Sequence, residues 1–333
     1  MNNEFQLDGY ADMELSTQLV IREALARGHE VDVLDRTENF IRIRSAEKTE
    51  FIKQASKCAC DSYMTFLIME NKAVTKIVLD EAGIRVPHGG QYACEEEAFV
   101  AFRDLGFERI AIKPKTTNFG IGISMVDQKA DDETVKAAIK EAFSHDKSIL
   151  LEEFIYGTEY RFLVIGDRTI GITLRVPANV VGDGVHSIRE LVDHKNNDPR
   201  RGEGYRKPLE KILIADTELS VLHEQHLDPE SIPDANQQVF LRHNSNMSTG
   251  GDTIDFTDQM HEGYKQLAVR AAQAAEASIC GVDILIQDHS APPHSENYGI
   301  VELNFNPILL IHDYPYEGKN RRSGAALLDF LGL

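Results

Sequence analysis

The chain has 333 residues, of which 54 are acidic and 35 basic, and a formal net charge of −19. This excess of negative charge argues against nucleic acid or an anionic membrane as the main partner, because both would repel it. No apolar run approaches the length of a membrane span, the first ten residues lack the apolar core of a signal peptide, and the 4 cysteines form no CxxC pair. We therefore expect a cytoplasmic protein with reduced thiols, long enough for two or three subdomains.

The first part of the chain has the pattern of a small α/β unit. Apolar residues at helical spacing predict a helix over 14–27 that ends at Gly28. Alternating apolar residues then predict three strands, over 31–35, 40–45 and 50–55. A further helix is predicted over 69–82, with Lys72 and Lys76 four residues apart on one side. Two lysines in this arrangement are most often simply solvated.

A strand, a glycine-rich loop and a second strand are predicted over 109–126, after a helix that ends at Gly106. Lys113 lies at the end of an apolar run, where an ammonium group is costly to bury without an anionic partner. The loop offers backbone N–H groups and hydroxyls that together form a concave anion site. Its members are Thr116, Thr117, Asn118, Gly120 and Gly122. No GK[ST] is present, so the loop is not a Walker A sequence.

Three strands are predicted between residues 148 and 177, with turns at Gly157 and at Gly166-Asp167. The end of the first strand, with the apolar Ile155, suits contact with a purine. Glu159 in the next strand suits acceptance of hydrogen bonds from ribose hydroxyls.

Two short apolar runs, 282–286 and 300–303, flank a polar loop and predict a β-hairpin. Glu302 and Asn304 are two residues apart, so both point to one face of a strand, and a paired strand can bring Asp283 beside them. Three oxygen ligands on one face suit Mg²⁺. The alternative is a solvated sheet face whose acids bind nothing.

Longer motifs extend this interpretation. IKPKTTNFGIGIS, LLEEFIYGTEYR and GVDILI…VELNFNP occur in this order, and in them the chain resembles the ATP-grasp fold. RVPANVVGDGVHSIRELV and LRHNSNMSTGGDTID resemble segments of cyanophycin synthetases, and DGYADMELSTQ and HDYPYEGKNRR resemble the C-terminal synthetase module of bifunctional glutamate–cysteine ligase/glutathione synthetase. The resemblance implies an α/β ATP-grasp fold with an N-terminal α/β subdomain (1–90), a central nucleotide-clasping subdomain (91–165) and a C-terminal subdomain (166–333) with the metal and substrate sites. The sequence does not include the glutamate–cysteine ligase half of those enzymes, so we expect either a module of a bifunctional enzyme or a standalone relative.

The resemblance also implies which residues bind ATP. Two lysines hold the phosphates, a loop closes over the γ-phosphate, a hinge meets adenine, and an acid binds ribose. In that order the residues are Lys72 and Lys113; Thr116, Thr117, Asn118, Gly120 and Gly122; Glu152, Glu153 and Ile155; and Glu159.

For the reacting centre, the resemblance implies two Mg²⁺ ions bound by Asp283, Glu302 and Asn304. Arg242 corresponds to an arginine that stabilises charge during phosphoryl transfer, and the catalytic set is Arg242, Lys113 and Asn304. The substrate set consists of Arg175, Ser248, Thr249, Gly250, Asn306, Arg321 and Arg322. The sequence NFNP departs from the NxxPG of many ATP-grasp enzymes, which puts the part of Asn306 in doubt. Arg321 and Arg322 are nominated as anchors for a substrate α-carboxylate, and a plain surface cluster is the alternative.

The function implied is an ATP-dependent carboxylate–amine ligase that forms an amide through an acyl phosphate. The expected substrates are γ-glutamylcysteine and glycine, with a different γ-glutamyl or amino-acid dipeptide as the alternative. A phosphotransferase that stops at the phosphorylated product, and an ATP-binding protein without catalysis, are two further classes. Small-molecule carboxylate and amine partners are expected, and a homodimer is left open.

Overall fold

A computed structural model of the chain describes residues 5–115 and 122–333. Ten α-helices lie within these ranges: α1 (Leu15–Ala26), α2 (Tyr63–Glu70), α3 (Lys72–Glu81), α4 (Glu95–Asp104), α5 (Asp132–His145), α6 (Ile188–Asn196), α7 (Asp216–Glu224), α8 (Glu262–Ala274), α9 (Leu310–Asp313) and α10 (Ser323–Leu331).

The strands of the same ranges are β1 (Glu30–Asp35), β2 (Phe40–Arg44), β3 (Thr49–Lys53), β4 (Gly89–Tyr92), β5 (Arg109–Pro114), β6 (Ser124–Asp127), β7 (Ile149–Glu153), β8 (Thr158–Ile165), β9 (Arg168–Val176), β10 (Asn179–Val181), β11 (Arg201–Gly202), β12 (Leu209–Glu210), β13 (Gln238–Phe240), β14 (Asp252–Asp255), β15 (Ile279–Ile286) and β16 (Tyr298–Asn304). They form sheets in the orders β1-β2-β3, β4-β7-β5-β6 and β14-β9-β8-β15-β16, with two small pairs, β10-β13 and β11-β12.

The N-terminal unit has the helix and three strands that its sequence predicts. Helix α1 ends before Gly28, which adopts a left-handed φ of 79°. The helix predicted over 69–82 begins later than expected, because a break at Asn71 separates α2 from α3. The Asn71 side chain accepts hydrogen bonds from the backbone N–H groups of Ala73 (3.2 Å) and Val74 (3.4 Å) and so caps α3. Lys72 therefore lies in the first turn of a new helix.

The central sheet packs one face against α4 and α5. Ile112 of β5 and Leu151 of β7 lie in that core with Phe102 and Ile139. Side chains alternate along a strand, so Lys113 and its neighbours Leu150 and Glu152 lie on the opposite face. The amphipathic pattern of these strands thus directs one lysine and one glutamate toward α3.

One face of the five-stranded sheet changes from apolar to polar side chains along its strands. Phe162 and Val282 lie in a core with α8 on one side. On the other side, Leu163 and Ile165 share a core with α1 and α10. Arg161 lies on that second face two residues before Leu163 on β8. At this position the apolar packing is replaced by polar side chains. The candidate site lies at this transition.

A further unit follows β9, between residues 178 and 241. It has its own apolar core, which includes Val180, Ile188, Leu222 and Val239. Strand β8, which begins at Thr158, pairs with β9 and β15 and so belongs to the five-stranded sheet. The central sheet therefore ends before Thr158. The subdomain boundary predicted at residue 165 stays a prediction. Among the residues that the structure describes, no helix is long and apolar enough to cross a membrane.

Candidate active site

A row of residues crosses the five-stranded sheet with one member on each strand. Each member lies opposite the next in the sheet register, in the order Asp255, Thr173, Arg161, Asp283 and Glu302. Residues directly opposite one another share a face of the sheet. The row confirms the predicted hairpin, because Asp283 on β15 pairs with Glu302 on β16. It also adds Arg161, for which sequence analysis assigned no role.

Arg161 and Asp283 form a buried ion pair. The Arg161 guanidinium donates from Nε to Oδ1 of Asp283 and from Nη2 to Oδ2, the latter at 2.6 Å. Asp283 is 2% exposed and Arg161 is 8% exposed. Burial acts to raise the pKa of Asp283, but the Arg161 guanidinium outweighs burial and holds that pKa below its ordinary value. Asp283 is therefore ionised and fixed in direction.

Glu302 and Asn304 lie two residues apart beside this pair, on the side facing α3. Lys72 Nζ is 3.4 Å from Glu302 Oε1, and Asn304 Nδ2 donates to the carbonyl of Gly281 at 3.4 Å. Among residues 5–115 and 122–333, no group of three His, Cys, Asp or Glu side chains could hold a metal ion. Two carboxylates and one amide oxygen are nevertheless the donor set that Mg²⁺ prefers, and each Asp283 oxygen keeps a lone pair beyond its bond to Arg161. These residues fit Mg²⁺ by their chemistry.

Arg175 lies close to two acidic side chains, Glu159 and Asp283. Its guanidinium pairs with Glu159 and lies 3.6 Å from Asp283 Oδ2. Its buried Nε has no hydrogen-bond partner. Arg175, predicted to contact substrate, and Glu159, predicted to bind ribose, are thus brought together across β8 and β9.

Two lysines share one buried carboxylate on the central sheet. Lys113 Nζ is 2.7 Å from Glu152 Oε2, and Lys76 pairs with Oε1 of the same group. Burial, followed by the charge of Lys113, lowers the pKa of Lys76 to about 8. For Glu152, which is 3% exposed, burial acts to raise the pKa, but the two ammonium groups outweigh it and lower that pKa. Lys76 and Glu152 also line a cavity of about 330 Å³ between α3 and the central sheet.

The chain matches two family models over parts of its length. An ATP-grasp-like domain matches residues 11–64, and a RimK-like ATP-grasp domain matches residues 236–313. The second match includes β15 and β16, which carry Asp283, Glu302 and Asn304. Both models describe ATP-grasp domains. The predicted α/β ATP-grasp fold is therefore confirmed.

Bacterial relatives match this chain almost from end to end. A bifunctional glutathione biosynthesis protein of Clostridium perfringens is 51% identical over 330 residues, which are 99% of this chain and 42% of the relative. The corresponding protein of Listeria innocua is 48% identical over 98% of the chain and 42% of the relative. The crystal structure of a bifunctional glutathione synthetase from Pasteurella multocida superposes with a TM-score of 0.84 at 44% identity, covering 99% of this chain and 45% of that one. The chain thus spans less than half the length of these relatives.

The ATP-grasp hinge predicted at Glu152, Glu153 and Ile155 connects the two large sheets. Glu153 pairs with Arg85, and its backbone N–H donates to the carbonyl of His88 at 2.8 Å. Ile155 is 4% exposed and contacts Gly299, where an added Cβ would lie 2.0 Å from Ile155 Cδ1. The side chains of Glu153 and Ile155 thus fix the connection between sheets, and their contact with adenine stays a prediction.

The predicted phosphate loop is described only at its end. Thr116, Thr117, Asn118 and Gly120 lie outside the described residues. Gly122 has a φ of 73°, in the left-handed region that favours glycine. An added Cβ there would also meet the Pro114 side chain at 2.8 Å. This close approach explains why glycine stands at position 122.

Arg242 and the segment 248–250 lie beside the unit between β9 and β14. Arg242 Nε pairs with Glu218 of α7. A short 3₁₀ turn, Met247–Thr249, leads to Gly250, whose φ is 87°. Thr249 Oγ1 donates to the carbonyl of Asn246 at 3.0 Å. The predicted part of Arg242 in catalysis, and of Ser248, Thr249 and Gly250 in substrate binding, stays a prediction.

The last predicted substrate residues have partners within the protein. Asn306 Oδ1 accepts from Ser56 Oγ at 2.8 Å. Arg321 donates to both carboxylate oxygens of Asp255 and, at 2.9 Å, to Asp258 Oδ1. Arg322 is 73% exposed and 3.7 Å from Glu23. The guanidinium of Arg321 is thus already occupied by two carboxylates, which weakens its nomination as a substrate anchor.

Two residues of the candidate site, Arg161 and Lys76, were not predicted from the sequence. Arg161 lies in the apolar run TEYRFLVI of β8, and a charged residue inside a buried strand is a signal for a buried partner. Lys76 is the other: the sequence predicts a solvated side chain there, whereas the structure pairs it with Glu152. Its position one helical turn after Lys72 gave no indication of Glu152, because that contact is between residues 76 positions apart in sequence.

Proposed function

We propose that the chain is an ATP-dependent ligase that joins γ-glutamylcysteine to glycine. The C-terminal carboxylate of the dipeptide takes the γ-phosphoryl group of ATP and ADP leaves. The glycine amine then attacks the acyl carbon, so that the amide bond forms and phosphate leaves. The similarity to glutathione biosynthesis proteins over 99% of the chain supports these substrates.

The observation that carries the proposal is the contact between α3 and β16. Lys72 Nζ lies 3.4 Å from Glu302 Oε1. Phosphoryl transfer depends mostly on positioning and on neutralising charge. Lys72 is suited to bind a phosphate and Glu302 is suited to bind a metal ion. Their contact therefore places both groups where a metal-bound phosphate would react.

Other residues of the site have supporting roles in the proposed reaction. Lys113 supplies a second positive charge, and Glu152 holds its ammonium group in place. Arg161 holds in place the carboxylate of Asp283, which lies opposite Glu302 in the sheet. Mg²⁺ held by Asp283, Glu302 and Asn304 would neutralise phosphate charge and align the reacting groups.

The test is amine-dependent release of ADP from the purified chain. With ATP, Mg²⁺, γ-glutamylcysteine and glycine, we expect ADP and a tripeptide of matching mass, and neither product above background when either substrate is omitted. ADP formed with glutamate or another amino acid, and none with γ-glutamylcysteine, would instead establish the alternative dipeptide ligase. Phosphorylated dipeptide that accumulates without reacting with any amine would establish a phosphotransferase.

We also propose small-molecule substrates, supported by the net charge of −19, which disfavours nucleic acid and anionic membranes. A cytoplasmic location is supported by the free thiols of Cys58, Cys60, Cys94 and Cys280, which suit a reducing compartment. A homodimer stays a prediction, which light scattering of the purified chain checks.

A further inference from the structure

Two cysteine thiols face each other in the segment that connects β3 to α2. The sulfur atoms of Cys58 and Cys60 lie 2.9 Å apart, within hydrogen-bond distance, and either thiol can be the donor. Both residues are partly exposed, and Ala59 between them is exposed, so a small reagent can approach the pair. In the described part of the chain, no group of three His, Cys, Asp or Glu side chains could hold a metal ion. The two thiols therefore form a dithiol and do not belong to a larger metal site there.

The chain on both sides of the dithiol is held by hydrogen bonds. Before it, the backbone groups of Lys53 and Lys57 bond to each other in both directions, at 2.8 and 3.0 Å. After it, the Asp61 carboxylate accepts from the backbone N–H of Ser278 at 2.6 Å, and the Ser278 hydroxyl donates to the Cys60 carbonyl at 3.2 Å. Because both flanks are already fixed, closing a ring between the thiols orders little additional chain. The facing arrangement of the two thiols is therefore part of the folded structure.

The hydrogen bond between the thiols favours ionisation of one of them. It lowers the pKa of Cys58, while burial and the charges of Asp61 and Glu50 oppose that effect. The same hydrogen bond, followed by burial, raises the pKa of Cys60. The thiolate is the nucleophile in thiol–disulfide exchange. Cys58 is therefore the attacking thiol and Cys60 the thiol that reacts second.

The segment that carries the dithiol contacts the chain just beyond the proposed metal ligands. Ser56 Oγ donates to Asn306 Oδ1 at 2.8 Å. The Lys57 ammonium group lies 5.1 Å from the centroid of the Phe305 ring. Phe305 and Asn306 directly follow Asn304 on the chain. The proposed ligase reaction uses neither thiol, so the dithiol lies beside the candidate active site and is available for a reaction of its own.

We propose that Cys58 and Cys60 form a redox-active dithiol that low-molecular-weight disulfides oxidise to an intramolecular disulfide. The Cys58 thiolate attacks one sulfur of the small disulfide, so that a mixed disulfide forms and the other half leaves and takes up the proton that Cys58 released. Cys60 then loses its proton and attacks Cys58 Sγ, and the bound half leaves as a second thiol. The dithiol thus loses two hydrogens, and the small disulfide becomes two thiols. The sulfur atoms need to approach from 2.9 Å to the about 2.05 Å of a disulfide bond.

The test is oxidation of the full chain with glutathione disulfide, followed by alkylation of the remaining thiols and mass spectrometry of tryptic peptides. Trypsin cleaves after Lys57 and Lys72, so one peptide, 58–72, contains both cysteines of the dithiol and neither of the other two. We expect this peptide to lose two hydrogens, to carry no alkyl group, and to recover both thiols after treatment with dithiothreitol. Cys94→Ser is the matched control. Cys94 is partly exposed and donates to Glu96 instead of a thiol, so its removal should leave the result for 58–72 unchanged.

A second variant distinguishes ring closure from formation of a simple adduct. Cys60→Ser removes the thiol that reacts second, so glutathione should stay attached to Cys58 as a mixed disulfide. A glutathione adduct that persists on the unaltered 58–72 peptide would overturn the proposal. Two alkylated thiols in that peptide after Cys94 has reacted, or disulfide-linked dimers joined through it, would also overturn it. None of these outcomes depends on ligase activity, so the proposed function can fail while the redox-active dithiol stands.

Discussion

Arg161 donates both Nε and Nη2 to the two carboxylate oxygens of Asp283, and Asp283 lies directly opposite Glu302 on the neighbouring strand. A buried guanidinium thus sets the direction of a carboxylate that is itself one of the proposed metal ligands. The ion pair between Arg161 and Asp283 therefore contributes both to the stability of the sheet and to the geometry of the candidate site.

Arg161→Met should destabilise the protein, because it leaves the Asp283 carboxylate buried without its partner. The expected loss in the free energy of unfolding is about 3–5 kcal/mol. Denaturant unfolding measures it. Arg189→Ala is the control, since Arg189 pairs with Glu230 at the exposed surface and should cost less than about 1 kcal/mol. Equal losses in the two variants would contradict the account.

Glu302→Ala should abolish ADP release while the fold stays intact. Removal of a metal ligand should cost several kcal/mol of transition-state stabilisation, on the order of a thousandfold or more in rate. Glu296→Ala is the matched control, since Glu296 is an exposed glutamate of the same hairpin. Steady-state rates at saturating Mg²⁺, with circular dichroism of both variants, provide the measurement. Near-normal turnover of Glu302→Ala would disprove the assignment.

Lys76 should titrate near pH 8, because burial lowers its pKa to about 8. The Glu152 carboxylate opposes this effect, so Glu152→Gln should move the midpoint to lower pH. NMR of ¹⁵N-labelled lysine side chains follows the titration, and Lys76→Met identifies the signal. Glu153→Gln is the control, because Glu153 pairs with Arg85 instead. An identical shift in both glutamate variants would show that Glu152 is not the specific partner.

His312 should make the protein sensitive to acid. It is 2% exposed, and burial, with a smaller contribution from Arg161, lowers its pKa from 6.5 to about 3. The unfolded chain therefore binds a proton between these two values that the folded protein does not, so stability falls as pH falls. The contribution is about 1.4 kcal/mol per pH unit below 6.5. Unfolding curves between pH 7 and 4.5 should show a shallower dependence for His312→Asn, and parallel curves would contradict the prediction.

Arg321→Ala tests whether Arg321 has a structural or a substrate-binding role. Its guanidinium is held by Asp255 and Asp258, so we expect a loss of stability and little change in the KM for the dipeptide. Arg322→Ala is the neighbouring control, because Arg322 is 73% exposed. A KM raised tenfold or more in Arg321→Ala, with unchanged stability, would restore the sequence-based nomination.

Local patterns predicted much of the fold and part of the site. The alternation in 282–286 and 300–303 was enough to place Asp283 beside Glu302, because side chains on strands repeat every two residues. The motif around Lys113 was enough to place it on a strand. These features depend on neighbours in sequence.

The remaining features depend on contacts between distant segments. Arg161 meets Asp283 across 122 positions, through a pairing of β8 with β15 that local patterns do not specify. Lys76 meets Glu152 only because α3 packs near the central sheet. The parallel pair of β11 and β12 has two residues in each strand, which is too short to leave a periodic signal.

The most direct test of the central claim follows an oxygen atom. The dipeptide is labelled with ¹⁸O in its C-terminal carboxylate and incubated with the chain, ATP, Mg²⁺ and glycine. Activation of that carboxylate by phosphorylation predicts that one ¹⁸O appears in the released phosphate for each amide bond formed, as read by mass spectrometry. Phosphate without the label, formed alongside the tripeptide, would contradict the account.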